Sequence, residues 1–374
     1  MAAMKKELKI IISGGGSGGH IFPAIAIAEA IKEKHPNADI LFVGAKGKME
    51  MEKIPEAGYE IIGLWISGFR RSFSFDNLSF PLKVISSLLK SRSILKSFKP
   101  DLVFGVGGFA SGPLVQAAAW RGCKTLIQEQ NSYPGITNKI LSKSVDKICV
   151  AYDEMHRFFP KDKMIKTGNP IRQAITNPLP DRAEALSYFG LEEGKPVLFV
   201  TGGSLGARGI NEAVANCLDE IEEMGLQVLW QSGKLYHEWA EELLKNRGGN
   251  CAKLLPFVKR MDMAYSAADI LLSRAGAMSI AEQQVIGKAV ILQPSPNVAE
   301  DHQTHNAMAL VKKNAAFMIT DKEAKTKLAE KLRELVQNPQ VRKELGISLK
   351  QMEMTNASEQ IVAAGLALIE EDRN

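Results

Sequence analysis

The strongest constraint in this sequence is a pattern that begins twice. Near the N-terminus LKIIIS runs into Gly14-Gly15-Gly16-Ser17-Gly18-Gly19-His20 and then into IFPAIAIAEAIKEK. Near the middle PVLFVT runs into GGSLGAR and then into GINEAVANCLDEIEEM. Each is a short apolar strand, a glycine-rich turn and a helix, which is how a Rossmann-like domain opens. Further short apolar runs, among them Asp39–Val43, Asp101–Gly105, Lys124–Gln128, Ile270–Ser273 and Ala289–Gln293, alternate with helical stretches. That alternation predicts βαβ units and parallel sheets, hence an α/β chain of two Rossmann-like domains. TGNPIRQAITNPLPDR, with three prolines, reads as the linker between them. The expected division is 1–170, then 171–355, with helical segments closing the chain.

Other classes are excluded on simple grounds. The 374 residues suit two domains at roughly 100–200 residues each. Cys123, Cys149, Cys217 and Cys251 are scattered and form no CxxC, which argues against a zinc site or disulfide framework. No apolar run approaches the roughly 18 residues that suggest a membrane span. MAAMKKELKIII is basic and then apolar, but it is short and enters a glycine loop directly, so it reads as strand one and the expected location is cytoplasmic. Charge is uneven: residues 1–170 hold 24 Lys and Arg against 15 Asp and Glu, and the remainder 23 against 27. The N-terminal half can therefore face something anionic.

The glycine loops point to phosphate chemistry. Glycine lets the backbone approach a ligand closely, and the helix that follows presents N–H groups and a positive dipole end. Gly14, Gly16 and Gly19 satisfy G-x-G-x-x-G, but strand two ends Val43-Gly44-Ala45-Lys46 without the acid that holds a dinucleotide ribose. No G-x-x-x-x-G-K-[ST] occurs, which excludes a P-loop kinase. No D-x-D occurs either, so helix dipoles and basic side chains are expected to neutralise a diphosphate in place of a metal. His20, closing the first loop at the top of its sheet, is the candidate general base, since the ordinary histidine pKa suits proton transfer near neutrality.

A second cluster follows in the C-terminal half. Arg274-Ala275-Gly276-Ala277-Met278-Ser279-Ile280-Ala281-Glu282 is a small-residue turn entering a helix, another anion site. Glu282 there can accept two hydrogen bonds from a ribose diol. Farther on, Asp301-His302-Gln303-Thr304-His305-Asn306 groups polar side chains beyond the carboxyl end of a strand, where ligands bind in open α/β sheets. His302 and His305 lack a third ligand at metal spacing.

In this order and spacing, GGGSGGHIFPAIAIAEAI, GVGGFASGP, EQNSYPGITNK, TGNPIR, GGSLGAR, QSGK, RAGAMSIAE and DHQTHNA resemble the MurG family. Its members are bacterial transferases that add N-acetylglucosamine from its UDP donor to lipid I, making lipid II of the peptidoglycan pathway. The resemblance runs from about Leu8 to Ala307. It implies the GT-B fold, two Rossmann-like domains facing across a cleft, with a last helix, 356–374, returning to the N-terminal domain. It implies an inverting displacement with His20 as base and with neither metal nor cofactor. Ser17, Gly18 and Gly19 would line the cleft near the diphosphate, and Asn131 would contact the donor sugar. Arg172 and Ser204 would assist at the phosphates, and the backbone of Val258 would read the uracil edge. Ala277, Met278, Ser279, Ile280 and Ala281 would bring helix N–H groups to the diphosphate, Glu282 would hold the ribose, and Gln303 the sugar hydroxyls. Two departures stand out. The family's usual HEQN is Gln128-Glu129-Gln130-Asn131 here, and an acidic pair common after the uracil strand is Lys259-Arg260.

The lipid-linked acceptor gives a meaning to residues 65–99, which carry seven Lys and Arg against the single acid Asp76. Trp65, Phe69, Phe73, Phe75 and Phe80 interleave with Arg70 and Arg71. Basic side chains attract anionic headgroups and aromatic ones dip into the interface. The expected partners are therefore the UDP-N-acetylglucosamine donor, lipid I and the anionic inner face of the plasma membrane, with no nucleic acid. A related epimerase, a glycolipid glycosyltransferase or a silent nucleotide-sugar-binding protein would share the donor cluster.

Overall fold

The computed structural model describes residues 7–68, 79–171, 175, 178–248 and 251–371. The chain divides into two compact units, Met1–Ile171 with Thr355–Asn374, and Arg172–Met354. The first begins with β1 (Lys9–Ser13), α1 (Gly18–Lys34), β2 (Asp39–Ala45), α2 (Glu50–Glu56), β3 (Glu60–Leu64) and α3 (Phe80–Phe98). It continues through β4 (Leu102–Gly105), α4 (Ser111–Trp120), β5 (Lys124–Glu129), α5 (Ile136–Leu141), β6 (Lys147–Val150) and β7 (Met164–Lys166). The second unit holds α6 (Arg182–Phe189), β8 (Val197–Thr201), α7 (Arg208–Asn216), α8 (Leu218–Glu223), β9 (Gln227–Gln231), α9 (His237–Arg247) and β10 (Ala252–Leu255). After these come α10 (Met261–Ala267), β11 (Ile270–Ser273), α11 (Ala277–Ile286), β12 (Ala289–Leu292), α12 (His302–Val311), β13 (Phe317–Met318), α13 (Ala324–Gln337) and α14 (Pro339–Lys350). The last helix, α15 (Ala357–Glu371), belongs to the first unit, where it packs on α1 and against β4, β5 and β6.

Both sheets are parallel throughout. The first runs β3-β2-β1-β4-β5-β6-β7 and the second β10-β9-β8-β11-β12-β13. Strand order reverses beside β1 and beside β8, the two strands that lead into the glycine loops. Ligand crevices form at such reversals, outside the carboxyl ends of the strands. Helices cover both faces, which is why β1 reads Ile10-Ile11-Ile12, all fully buried, and does not alternate apolar with polar. In the first core these strands meet Ile21, Ala24, Ile27 and Ile31 of α1 and Ile361 and Val362 of α15. The second core centres on Trp230 of β9, whose indole N–H donates to Asn211 Oδ1 at 2.9 Å.

The two sheets share one device at their opposite edge. Asp101, just before β4, accepts the Lys9 N–H of β1 at 2.9 Å. Asp269, just before β11, accepts the Val197 N–H of β8 at 2.8 Å. Each carboxylate satisfies the first N–H of the central strand and fixes its register. Among the described residues no helix is long and apolar enough to cross a membrane.

Candidate active site

In the first unit the glycine loop is built around a buried carboxylate. Glu50, at the start of α2, is fully buried. Its Oε2 accepts the Gly16 N–H and its Oε1 the Ala45 N–H, both at 3.0 Å. Side chains at Gly15 or Gly44 would collide with it: a Cβ would fall 2.1 Å from Oε1 in one case and 2.6 Å from Cγ in the other. An acid thus does reach this loop, but from five residues past β2, and it binds backbone.

Ser17 is the N-cap of α1, exposed and without a side-chain capping bond, and Gly18, Gly19 and His20 form the first turn. The His20 ring lies on Gly107 and Gly108 of the GVGG turn after β4, where Cβ atoms would approach it to 2.8 and 3.2 Å. Gly108 adopts φ +78°, and a Cβ there would stand 2.2 Å from the Gly15 carbonyl oxygen, so glycine is required. His20 Nδ1 lies 3.0 Å from the Val106 carbonyl oxygen. A carbonyl only accepts, so Nδ1 carries the proton and the lone pair of the neutral ring belongs to Nε2.

Behind the ring lies a group of buried amides. Gln130 Nε2 donates to the same Val106 oxygen at 2.9 Å and also to Gln128 Oε1. Gln128 Nε2 donates to Asn169 Oδ1 at 2.9 Å, and Asn169 Nδ2 returns to the Gln130 carbonyl at 3.0 Å. The departure from the family's HEQN therefore places a neutral amide, fully buried, where a titratable ring is usual. Glu129 beside it is a second hub: it accepts from Asn131 N and Nδ2, from Gly135 N and from Asn138 Nδ2, at 2.9–3.1 Å. The Asn131 side chain is held in the first unit by that carboxylate.

The second unit holds a cavity of about 570 Å³ at the carboxyl ends of its strands. Thr201, Gly206, Arg208, Tyr236, Arg274, Gly276, Ser279, Asn297, Gln303 and Asp321 are among its lining. Ser279 and Gln303 thus meet in one space, across 24 residues of chain. Gln303 is oriented by the Ser295 N–H, which donates to its Oε1 at 2.8 Å. The floor is set by Arg274, whose Nη1 and Nη2 contact the two Asp321 oxygens at 2.5 and 3.1 Å. The Arg274 Nη1 also donates to the Gln293 and Pro294 carbonyls, at 2.9 and 3.0 Å. Gly276 is the extended N-cap of α11, so Ala277, Met278, Ser279, Ile280 and Ala281 form its first turns.

Glu282 lies one turn deeper than Ser279, buried, and accepts the Tyr265 O–H at 3.0 Å. Beneath it Lys288 donates to the Tyr265, Ser266 and Ala268 carbonyls, and burial pulls its ammonium down to about 8. Ser204 is exposed in the turn after β8. Val258 is buried, and its N–H donates to Gln231 Oε1 at 2.8 Å. Arg260 pairs with Asp262, and this guanidinium holds the Asp262 carboxyl below the usual carboxylate range.

Of the residues assigned to a membrane face, Trp65 is half exposed and Phe80 partly buried. Phe69, Arg70, Arg71, Phe73 and Phe75 lie outside the described residues, as does Arg172. On α3, Leu82, Ile85 and Leu89 are 62, 56 and 60% exposed. α3 packs on α4 and α4 on α5, where Trp120, Ile136 and Ile140 are exposed too.

The chain matches the glycosyltransferase family 28 N-terminal domain over residues 10–150 and the glycosyltransferase family 28 C-terminal domain over residues 197–361. It is 52% identical over 369 residues to a Cytophaga hutchinsonii protein, covering 99% of each chain. It is 48% identical over 369 residues to one from Flavobacterium psychrophilum, covering 99% of this chain and all of that one. Both relatives are named UDP-N-acetylglucosamine–N-acetylmuramyl-(pentapeptide) pyrophosphoryl-undecaprenol N-acetylglucosamine transferase. The crystal structure of Acinetobacter baumannii MurG matches with a TM-score of 0.78 at 27% identity, over 96% of this chain and 99% of that one. A Neisseria meningitidis UDP-GlcNAc 2-epimerase bound to UDP-GlcNAc, 14% identical with a TM-score of 0.64, shares the fold. The two glycine-loop units, the ordered motifs and this full-length likeness agree: the chain belongs to glycosyltransferase family 28, within the MurG family of N-acetylglucosamine transferases.

Proposed function

We propose that this protein transfers N-acetylglucosamine from UDP-N-acetylglucosamine to lipid I, forming lipid II, with inversion and with His20 as general base. The observation that carries the base assignment is the bond from His20 Nδ1 to the Val106 carbonyl, which leaves the lone pair on Nε2. In this reading Nε2 takes the proton of the acceptor hydroxyl as its oxygen attacks the anomeric carbon. The bond from that carbon to the diphosphate breaks, and UDP leaves with the electron pair. The α11 N-terminus, with Ala277–Ala281, and Arg172 offset the charge that develops on the diphosphate. Ser17, Gly18 and Gly19 are assigned to the diphosphate, and Ser204 to its phosphates, from the motifs they share with the family. Gln303, already fixed on Ser295, meets the sugar, as does Asn131. Glu282 takes the ribose diol and the Val258 backbone the uracil edge.

The lipid-linked acceptor requires a membrane surface. The exposed Leu82, Ile85 and Leu89 face of α3, with Trp65, Phe80 and the basic residues of 65–99, supports docking on an anionic bilayer from the cytoplasmic side. Phe69, Arg70, Arg71, Phe73 and Phe75 are assigned to the same face from sequence.

The test is transfer from UDP-N-acetylglucosamine to a short-chain lipid I analogue, with and without EDTA, beside His20→Ala. Disaccharide formation that survives EDTA and drops by about 100-fold or more in the variant is expected. Full transfer by His20→Ala would keep the family and sink the base assignment.

A further inference from the structure

We propose that Gln130 is a positioning residue for His20: through the shared Val106 carbonyl it holds the imidazole in the Nδ1–H tautomer, with Nε2 directed to act as base. The proposal builds on the assignment of His20 above. A carbonyl oxygen offers two lone pairs, and at Val106 one takes His20 Nδ1–H and the other Gln130 Nε2–H.

The orientation of the Gln130 amide is forced. Both groups that face its nitrogen, the Val106 carbonyl and Gln128 Oε1, are acceptors, so a flipped amide would set oxygen against oxygen twice. The price of this orientation is visible at the other end: Gln130 Oε1 is buried with no hydrogen-bond partner among the described residues. It lies beside Gly107, on the side occupied by the His20 ring: a Cβ on Gly107 would stand 3.4 Å from that oxygen and 2.8 Å from His20 Nδ1.

Gln130 is itself locked. Gln128, Gln130 and Asn169 close a ring of amide bonds, and all three are at most 6% exposed. None of the three titrates, so the support behind the base keeps one protonation state across the working pH range.

The experiment uses the full-length protein and four variants: His20→Ala, Gln130→Met, Gln130→Glu and Gln128→Met. Nitrogen-15 NMR at about pH 8, where an ordinary imidazole is neutral, reads the His20 tautomer, with its signals identified by their loss in His20→Ala. The parent should show Nδ1–H; in Gln130→Met and Gln130→Glu the Val106 carbonyl loses the second bond that holds it against His20, and the ring should move toward the Nε2–H form that dominates in a free imidazole. The kcat for transfer should fall about tenfold or more in both, a fraction of the general-base contribution. The KM for UDP-N-acetylglucosamine should change less than kcat, because Gln130 is not among the residues that line the second-unit cavity. Gln128→Met, which removes the acceptor that orients Gln130, should show a weaker form of the same shift and decides the matter if both Gln130 variants fail to fold. An unchanged tautomer with kcat within roughly twofold of the parent would overturn the proposal. Should His20→Ala transfer at the parental rate, the base assignment would fall while the NMR result still decides whether Gln130 sets the tautomer.

Discussion

Replacing Glu50 by glutamine tests how the first glycine loop is held. The carboxylate is fully buried and accepts two backbone N–H bonds, from Gly16 and Ala45, each 3.0 Å long. Hydrogen bonds to a charged acceptor contribute about 1.5–3 kcal/mol each. Glu50→Gln keeps the shape and one acceptor oxygen but turns an NH2 group toward the other N–H. One charge-assisted bond is lost and a buried donor is left unsatisfied, a combined cost of about 2–4 kcal/mol. For a unit of 150–250 residues, about 2–4 °C is lost per kcal/mol, so the melt of the first unit should fall by roughly 5–15 °C. Calorimetry measures this directly, and the transfer rate should fall in parallel, because Gly16 adjoins Ser17 and the helix that carries His20. Glu50→Asp, one methylene short, should lose at least as much. A glutamine variant that melts with the parent would refute the idea that this carboxylate supports the loop.

Three further outcomes follow from the geometry. Gly108→Ala, at φ +78° and with its Cβ 2.2 Å from the Gly15 carbonyl, should cost about 2 kcal/mol or more, whereas Gly112→Ala inside α4, whose Cβ meets Thr137 at 3.4 Å, should be neutral or stabilising by thermal melt. Arg274→Lys forfeits the paired contact with Asp321 and one or both carbonyl bonds; we expect about 1–3 kcal/mol of stability lost and KM for the donor raised roughly tenfold in steady-state kinetics, and an unchanged KM would detach this pair from the donor cavity. Glu323 bonds Lys327 and the Thr320 N–H and hydroxyl, and these hold its carboxyl down to about 2, so its contribution is present above the ordinary value of 4.5 and is lost as pH falls through about 2. Carbon-13 titration should show that midpoint moving up toward 4.5 in Lys327→Met, and an unmoved midpoint would mean that Lys327 is not the cause.

The two sheets were legible because their signals are local. Strand, glycine turn and helix follow one another within about 20 residues, and apolar periodicity reports burial directly. The apolar runs named from the sequence all return as strands, with β2 running on to Ala45 and β5 to Glu129. The open flanks of those two strands are the places where periodicity was weakest: Gly44 and Ala45 have little side chain, and Glu129 is a charged residue buried by four hydrogen bonds.

The supports of the site were not legible. Glu50 carried no signal in the sequence, because nothing near it announces that Gly15 and Gly44 leave a slot for its side chain. Gln130 and Asn138 carried no signal beyond their place in EQNSYPGITNK, and the sequence does not reveal that Asn169, 41 residues from Gln128, closes the amide ring. Arg274 and Asp321 stand 47 residues apart and meet only once β11 and β13 lie in one sheet. The sequence by itself determined the fold class, the two glycine loops, the family and which motif residues to examine, since each of these is written in neighbouring residues or in the order of motifs. Only the tertiary structure decided which carboxylate holds the first loop, which nitrogen of His20 keeps its proton and which side chains share the second-unit cavity. Those are partnerships between residues far apart in the chain, and a buried polar group finds its partner only when packing has removed water from around it.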